Sequence, residues 1–406
     1  MTDVDVVVVG AGAAGAMAAL HAAARGRRTL LLEKNQRPGL KILISGGGRC
    51  NVTTTRSGAD LEAQYGTRRG RFLRHALRSF PPTAVCAFFE ASGVPLQQED
   101  LEKLFPVSQR AQDVRDALLR RCRAAGADVV VGTAVQAVGR RGDRFVVALP
   151  TGEVRAASVV LATGGLSYAK TGATGDGYAW CRAFGHTVTA CWPALAPLCV
   201  ERPWVRALQG IVLDGTDLAV LDGQGRERLR RRRPILFTHK GLSGPAPMDL
   251  AGDVEELQGQ AQVRFDFAPG IPREALEAQW LAAAAAHGGR RIEALLPSEL
   301  PERLRAALVA EAGVDGTLAN LAREARRRLL QAVKDLRVPV PKSLGFDHAE
   351  VTRGGVELAE VDPRTMQSRL QPGLFVCGEL LDVDGPIGGF NFQAAFATGR
   401  LAGLSA

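Results

Sequence analysis

The stretch that decides the fold class is residues 4–34, VDVVVVGAGAAGAMAALHAAARGRRTLLLEK. A β-branched run, Asp5 to Val9, is followed at once by a glycine-rich turn and then by an alanine-rich segment. This order predicts a strand, a tight turn and a helix. Gly26 marks the end of the helix, and the apolar run that follows predicts a second strand ending at Glu33. We therefore predict one βαβ unit over residues 4–34.

The glycines of the turn have the spacing of a dinucleotide-binding motif. Gly10, Gly12 and Gly15 fit the pattern G-x-G-x-x-G. The first glycine permits the tight turn, the second lets the backbone approach a pyrophosphate, and the third lets helix and strand pack closely. The pyrophosphate then binds at the helix N-terminus, where free N–H groups and the helix dipole favour an anion. Glu33 ends the second strand, where a carboxylate is expected to bind the adenosine ribose.

Two further segments favour FAD over NAD. VVLATGG, residues 159–165, runs a strand into a turn of small residues, and GLFVCGELLD, residues 373–382, places Gly378 and Glu379 after an apolar strand. In flavoproteins of the two-dinucleotide type, such a carboxylate contacts the ribityl chain and the next helix directs its N-terminus at the flavin, where it stabilises negative charge. Gly388 and Gly389 precede a segment that fits this helix. We predict FAD as cofactor. Since the chain has one such motif, NAD(P)H would bind transiently or not at all.

The predicted fold class is α/β, a Rossmann-like FAD-binding domain interrupted by a β-barrel-like plus helical insert. The chain has 406 residues, 46% hydrophobic and 23% charged, which is ordinary for a soluble protein of about two domains. Residues 1–189 and 340–406 are predicted to form the FAD-binding domain, and 190–339 the insert. Within the insert, 195–268 is predicted as a β unit and 272–336 as a helical unit, followed by a linker, RVPVPKSLG.

Charge and cysteine content narrow the possible partners. The net charge is +9, and the densest basic run is Arg226 to Arg233, whose alternation fits an exposed strand. Few aromatic residues lie among these charges, so we expect a solvated face rather than a nucleic-acid groove. The seven cysteines form no C-x-x-C pair, which argues against a disulfide framework and a zinc site and fits a reducing cytoplasm. No signal peptide or membrane-spanning stretch is evident, so we expect a cytoplasmic protein.

Four segments make the chain resemble a known bacterial family. They are GLKILISGGGRCNVT (39–53), LATGGLSYAKTGATGDGY (161–178), FTHKGLSGPAPMDL (237–250), and the stretch 351–393, which contains GELLDVDGPIGGFNFQ. The chain is similar to the BaiN-like NAD(P)/FAD-dependent oxidoreductases, also named FAD-binding enzymes of the aminoacetone oxidase family. Thr53-Thr54 stands where that family usually has Thr-Asn. The resemblance implies the same interrupted FAD-binding fold.

The resemblance also implies that Lys41, the SGGGRC loop and Asn51 lie near the FAD. Arg49 is a candidate for pyrophosphate neutralisation or, alternatively, forms a surface salt bridge. Cys50 is a reactive thiol or a packed small residue, and Asn391 bonds the flavin ring or caps its helix. The predicted cofactor-binding residues are Gly10, Gly12, Ala13, Ala14, Gly15, Glu33, Lys34, Lys41, Ser45, Gly47, Gly48, Arg49, Cys50, Asn51, Val135, Ala162, Thr163, Gly164, Gly378, Glu379, Gly388, Gly389, Phe390 and Asn391.

Candidate catalytic acid and base groups are His239, Lys240 and Tyr168. We predict an FAD-dependent oxidoreductase that acts on a small molecule by hydride transfer, either as an amine oxidase or as an NAD(P)H-dependent reductase. One alternative is a flavin-dependent enzyme that modifies nucleic acid, motivated by the basic charge. Another is a non-catalytic redox sensor, motivated by Cys50. The sequence makes no prediction of oligomeric state.

Overall fold

The computed structural model describes residues 2–406, which divide into two compact units. The first unit runs to residue 192 and resumes at residue 350, and the second unit is residues 193–349. The predicted insert therefore ends too early at residue 339. Residues 340–349 belong to the second unit because their backbone bonds to it: Val340 N–H donates to Ala261 O at 3.0 Å and Leu344 N–H to Pro197 O at 2.8 Å.

The first unit contains the predicted βαβ unit and the elements that follow it. Its strands are β1 (Thr2–Val9), β2 (Thr29–Leu32), β3 (Thr53–Thr54), β4 (Leu96–Glu99), β5 (Lys103–Pro106), β6 (Asp128–Val130), β7 (Ala137–Arg141), β8 (Arg144–Leu149) and β9 (Gly152–Leu161). Its helices are α1 (Ala13–Ala24), α2 (Leu40–Ile44), α3 (Gly58–Ala63), α4 (Gly66–Ser79), α5 (Pro82–Glu90), α6 (Ala111–Ala124) and α7 (Asp176–Ala183).

The second unit begins within β10 (Trp192–Ala194) and is built from short strands and helices. The strands are β11 (Leu198–Cys199), β12 (Val212–Leu213), β13 (Asp217–Leu221), β14 (Glu227–Arg232), β15 (Ile235–Thr238), β16 (Gly241–Ser243), β17 (Gln262–Asp266) and β18 (Leu336–Pro339). The helices are α8 (Pro203–Ala207), α9 (Pro245–Glu256), α10 (Arg273–Ala286), α11 (Glu302–Glu311) and α12 (Arg323–Lys334). The chain then returns to the first unit with β19 (Val351–Arg353), β20 (Leu374–Val376) and α13 (Phe390–Ser405).

A seven-stranded sheet forms the centre of the first unit. Its order is β6-β2-β1-β9-β8-β7, and β20 pairs with β9. Strand β1 is parallel to β2 and to β9, and β20 is parallel to β9. Since parallel strands end at the same edge of a sheet, the residues that follow these four strands meet there, where Rossmann-like folds bind their ligands. The predicted α/β, Rossmann-like fold class is confirmed.

Helices α1 and α13 approach each other closely enough to require small residues. A Cβ atom on Gly399 would lie 2.1 Å from the carbonyl oxygen of Ala14, and one on Gly403 would lie 2.2 Å from that of Ala18. The alanine-rich sequence of α1 is therefore a packing requirement, because larger side chains would separate the two helices. This contact fixes the N-terminus of α1 relative to the segment that begins α13.

The second unit has two four-stranded sheets in the place of the predicted β-barrel-like unit. Their orders are β11-β16-β15-β12 and β14-β13-β17-β18. The predicted linker RVPVPKSLG is wrong in its first half, because β18 pairs with β17 in an antiparallel ladder. Strand β14 contains most of the arginine run and lies at the edge of its sheet, as its alternating pattern predicts. No helix formed by residues 2–406 combines the length and the apolar character needed to cross a lipid bilayer.

Candidate flavin-binding site

The three glycines of the G-x-G-x-x-G motif have different surroundings in the turn between β1 and α1. A Cβ on Gly10 would lie 2.6 Å from Ala162 O, and one on Gly15 would lie 1.8 Å from Gly10 O. Gly10 also has a φ of +100°, which glycine adopts readily. A Cβ on Gly12 would meet no atom within 4 Å. Gly10 and Gly15 are therefore required by the fold itself, whereas Gly12 borders open space at the N-terminus of α1.

Glu33 is held in place at the end of β2. Its side chain is buried, and its Oε2 accepts a hydrogen bond from Ala11 N–H at 2.9 Å. Its Oε1 accepts bonds from the backbone and the side chain of Asn35, at 2.9 and 2.8 Å. Asn35 thus orients the carboxylate predicted to bind the ribose. Sequence reasoning missed this residue, although it lies only two positions after Glu33.

Two other predicted cofactor-binding residues, Lys34 and Val135, belong to segments that adjoin Glu33. Lys34 donates from Nζ to Thr174 Oγ1 at 2.6 Å and to Asp176 Oδ2 at 2.7 Å. Val135 is half-buried in the irregular segment after β6, which is joined to β2 where Thr133 N–H donates to Glu33 O at 2.9 Å. The structure therefore brings segment 131–135 to the end of β2, where an adenosine bound to Glu33 would lie.

The turn after β9 leaves one polar atom without a partner. Ala162 N–H donates to Val9 O at 2.9 Å, which joins the ends of β9 and β1. Gly164 has a φ of +74°. The buried hydroxyl of Thr163 has no hydrogen-bond partner within the described part of the chain. A buried hydroxyl is normally bonded, but this one is enclosed by the chain itself, since a Cβ on Gly177 would lie 2.2 Å from it.

The loop from Ser45 to Asn51 is a tight glycine turn anchored at both ends. Gly46, Gly47 and Gly48 have φ values of +55°, +69° and +85°. Ser45 Oγ donates to Ile42 O at 2.8 Å, and Asn51 Oδ1 accepts from Leu104 N–H at 3.2 Å. The consecutive positive φ values explain why three glycines occur here, since side chains disfavour that backbone conformation.

Arg49 of the same loop is engaged with the neighbouring hairpin. Its Nη1 lies 2.9 Å from Glu99 Oε2 and 2.9 Å from Gln109 Oε1. The guanidinium carbon is 4.2 Å from the centre of the Phe105 ring. In the structure Arg49 therefore forms the salt bridge that was the alternative to pyrophosphate neutralisation, and the pyrophosphate role stays a prediction.

Cys50 is fully buried, and burial raises the pKa of its thiol to about 12. At pH 8 only about one such thiol in ten thousand would be ionised, and the thiolate is the reactive form. We expect Cys50 in the folded protein to react with iodoacetamide at least about 100-fold more slowly than in the unfolded protein. Peptide mass spectrometry after timed alkylation measures this. Rapid alkylation of Cys50 in the folded protein would revive the redox-sensor hypothesis, for which this thiol is the motivation.

A polar cluster joins α2 to the segments that follow β9 and β20. Lys41 Nζ donates to Glu379 Oε2 at 2.7 Å and to Ser167 Oγ at 2.8 Å. The other carboxylate oxygen, Oε1, accepts from Ser167 Oγ at 2.7 Å and from Thr352 N–H at 3.0 Å. Gly378, which precedes Glu379, has a φ of +70°, and a Cβ there would lie 2.7 Å from that of Ala14. The cluster is therefore packed against the start of α1.

The start of α13 is also tightly packed. Gly389 caps the helix in the left-handed conformation, and a Cβ there would lie 2.3 Å from Thr53 O. Gly388 has a φ of +140°. Phe390 is buried, and its carbonyl oxygen accepts a bond from the hydroxyl of Tyr65 at 2.7 Å.

Asn391 does not cap α13. Its Oδ1 accepts from the N–H of Gly385 and its Nδ2 donates to the carbonyl of the same residue, both at 2.9 Å. The N-cap alternative for Asn391 is wrong because the N-cap of α13 is Gly389, two residues before Asn391. The side chain instead fixes the loop before the helix, and its bond to the flavin ring stays a prediction.

Buried acids that sequence reasoning missed hold the same loop. Asp382 and Asp384 are both buried. Arg69 Nη2 lies 2.9 Å from Asp382 Oδ1, and Arg353 Nε lies 3.1 Å from Asp384 Oδ2. The acids precede the glycine-rich loop in DVDGPIGG, but their arginine partners come from distant parts of the sequence. Their role here is to fix the loop through charge-assisted bonds.

The candidate acid and base groups are in different units. His239 and Lys240 are exposed in the turn between β15 and β16 of the second unit. Tyr168 belongs to the first unit, is half-buried, and has a φ of +51°. Burial, together with the charge of Glu350, raises the pKa of the Tyr168 phenol above its usual 10. The phenol is protonated at neutral pH, as an unshifted tyrosine would also be, and so has a proton to donate.

These observations fit an FAD. The site offers open space at the N-terminus of α1 and a fixed carboxylate at the end of β2. Gly47, in the loop after α2, also borders open space, since a Cβ there would meet no atom within 4 Å.

Comparisons with known proteins agree with this geometry. The family described as HI0933-like protein Rossmann domain matches residues 4–405. The ribosomal RNA dihydrouridine synthase of Escherichia coli strain K12 is 32% identical over 98% of this chain and 96% of its own. The 3-dehydro-bile acid delta(4,6)-reductase of Clostridium scindens is 31% identical over 98% of both chains. A 3-ketosteroid-delta4-(5alpha)-dehydrogenase structure from Rhodococcus jostii RHA1 covers 100% of this chain and 96% of its own, with a TM-score of 0.50 and 17% identity, and supports the fold alone.

Proposed function

The chain belongs to the family of HI0933-like proteins with a Rossmann domain, and we propose that it is a reductase that saturates a carbon–carbon double bond conjugated with a carbonyl group. Membership of the family establishes the general class of activity: the protein is an FAD-dependent oxidoreductase. The reductase proposal is carried by two relatives that match nearly the whole chain. Both of their names describe adding two hydrogens across a double bond, in a uridine and in a 3-dehydro bile acid.

The reductase form of the function is favoured over the amine oxidase form by the same names. We propose NAD(P)H as the electron donor, binding transiently because the chain has a single dinucleotide motif. When bound, FAD supplies hydride transfer between the donor and the double bond. The residues of the first unit would hold it: Gly12 at the pyrophosphate, Glu33 at the ribose, and Glu379 at the ribityl chain.

The chain must also supply a proton, because saturating a double bond adds one hydride and one proton. We propose that Tyr168 delivers it. Its phenol, like that of any tyrosine, is protonated at neutral pH, and it follows directly on Ser167 of the polar cluster. Its positive φ is a strained conformation for a large side chain, and such strain is concentrated at functional sites.

Tyr168→Phe is expected to lower the rate of substrate reduction by about 100-fold or more, the usual contribution of a positioned acid. Reduction of the bound flavin by NAD(P)H should be unchanged, because that half of the reaction does not use the proton donor. Stopped-flow absorbance in the visible band separates the two halves. Tyr178→Phe is the matched control, since it removes a phenol hydroxyl that is buried in the same unit. Equal turnover in Tyr168→Phe and the control would contradict the assignment.

The test of the function itself uses the wild-type protein loaded with FAD. Anaerobic NADPH or NADH should reduce the flavin, and a compound with a conjugated enone should then reoxidise it and be recovered with two additional hydrogens. A small amine that reduces the flavin directly, while NAD(P)H does not, would favour the oxidase instead.

A second candidate is the same chemistry on a uridine of ribosomal RNA. It is favoured by the name of the Escherichia coli relative, by the net charge of +9 and by the exposed arginines of β14. All four arginines of β14 lie within 4 Å of an acid, among them Arg230 with Glu227 at 2.7 Å and Arg232 with Asp217 at 2.6 Å, so RNA would have to exchange for those acids. Ribosomal RNA transcribed in vitro contains no dihydrouridine. Its appearance after incubation with enzyme and NADPH, measured by nucleoside mass spectrometry, would establish this substrate, and steep salt dependence would accompany it.

A further inference from the structure

The polar cluster around Glu379 contains a cation whose role the motifs do not explain. Lys41 is the second residue of the short helix α2, and Glu379 lies 338 positions later in the sequence. Their side chains are only 26% and 17% exposed, and the ammonium nitrogen lies 2.7 Å from the carboxylate. A pair withdrawn from solvent to this degree is screened weakly by water and salt.

The carboxylate of Glu379 is surrounded by donors. Oε2 accepts from Lys41, and Oε1 accepts from the hydroxyl of Ser167 and from the backbone N–H of Thr352. A Cβ on Gly165 would lie 2.9 Å from the same oxygen, so the backbone packs against the carboxylate as well. An ionised carboxylate only accepts hydrogen bonds, and Lys41, Ser167 and Thr352 each donate one to it. The arrangement therefore fits Glu379 in its charged form.

Lys41 has capacity left for a further partner. Its ammonium group has three N–H donors, and two of them are used by Glu379 and Ser167. Within residues 2–406 no other acceptor is bonded to it. The Lys41 side chain is 26% exposed, which leaves part of it open to a further partner.

We infer that Lys41 is a positioning residue of the flavin site that neutralises Glu379, so that a carboxylate can bind the cofactor without opposing the negative charge that reduction adds. The inference rests on the proposed FAD site. The protein needs an acceptor-only group for cofactor hydroxyls, but an unpaired carboxylate close to a flavin would disfavour its reduction. The Lys41–Glu379 pair supplies the acceptor with no net charge.

The experiment measures the reduction potential and the dissociation constant of FAD in four full-length proteins: wild type, Lys41→Met, Glu379→Gln and the double variant. Lys41→Met leaves an uncompensated carboxylate, so the flavin should become harder to reduce by about tenfold in equilibrium constant, which equals about 30 mV for two electrons. Glu379→Gln leaves an uncompensated cation and should shift the potential in the opposite direction. The double variant should return to within about threefold of wild type, since both charges are removed together.

The control for losing a positive charge elsewhere is Arg141→Met, which breaks an exposed pair with Glu153 in the same unit and should leave the potential unchanged. A purely structural role for Lys41 predicts weaker FAD binding in every variant, with no shift of opposite sign and no rescue. If Lys41→Met alone fails to fold or to bind FAD, recovery in the double variant supports the inference, and loss in both overturns it. An unchanged potential in loaded Lys41→Met also overturns it. Wild-type protein that binds no FAD would instead contradict the proposed function.

Discussion

Gly12→Val is expected to give a folded protein that no longer binds FAD. A Cβ at Gly12 meets no atom of the chain within 4 Å, and its φ of −80° is ordinary for any residue. The substitution therefore has little reason to disturb folding. It places an isopropyl group at the N-terminus of α1, where the pyrophosphate must approach the backbone. We expect affinity for FAD to fall by more than about 100-fold, or roughly 2.7 kcal/mol.

Fluorescence titration with FAD measures the affinity, and circular dichroism with thermal melting measures the fold. Gly139→Val is the matched control, because its Cβ also meets nothing within 4 Å and the residue lies in strand β7 of the same sheet. A Gly12→Val protein that purifies yellow and fully loaded would show that the cofactor does not lie at this helix.

Gly15→Ala should instead destabilise the fold itself. Its Cβ would lie 1.8 Å from the carbonyl oxygen of Gly10 and 3.2 Å from the Cβ of Ala162. The first neighbour is backbone and cannot rotate away, so helix α1 must separate from strand β1. Overpacking of this kind costs about 3 kcal/mol or more.

The measurement for Gly15→Ala is the melting temperature without FAD, which should fall by roughly 6 to 12 °C for a unit of this size. Gly12→Val, measured in the same way, should melt close to the wild-type temperature, because its Cβ meets no atom of the chain within 4 Å. A Gly15→Ala protein as stable as wild type would mean that α1 and β1 are farther apart than the structure places them.

The βαβ unit could be predicted because its determinants are local. The turn, the helix and the carboxylate predicted to bind the ribose all fall within residues 4–34, and the structure has β1, α1 and β2 in the predicted places. The edge strand β14 was predictable for the same reason, since alternation over a few residues is enough to identify it. Arg49 was harder, because its partner Glu99 belongs to a hairpin 50 residues away.

The polar cluster could not be predicted from local pattern. Its members come from four separate segments of the chain: Lys41, Ser167, Thr352 and Glu379. The parallel pairing of β9 with β20 brings Ser167 and Glu379 together. The linker prediction failed through a related cause. The two prolines in RVPVPKSLG are typical of an irregular connection. However, β18 ends at the first of them, Pro339. This strand lies at the edge of its sheet, where a missing N–H is tolerated.

The most direct test of the account is the visible spectrum of the purified protein, recorded anaerobically after supplying FAD, then after adding NADPH, then after adding a conjugated enone. We expect a flavin band that bleaches with NADPH and returns with the enone as the double bond is reduced. A protein that shows no flavin band, or a bound flavin that neither NADPH nor NADH bleaches, would contradict the proposal that this protein uses FAD and NAD(P)H to reduce a conjugated double bond.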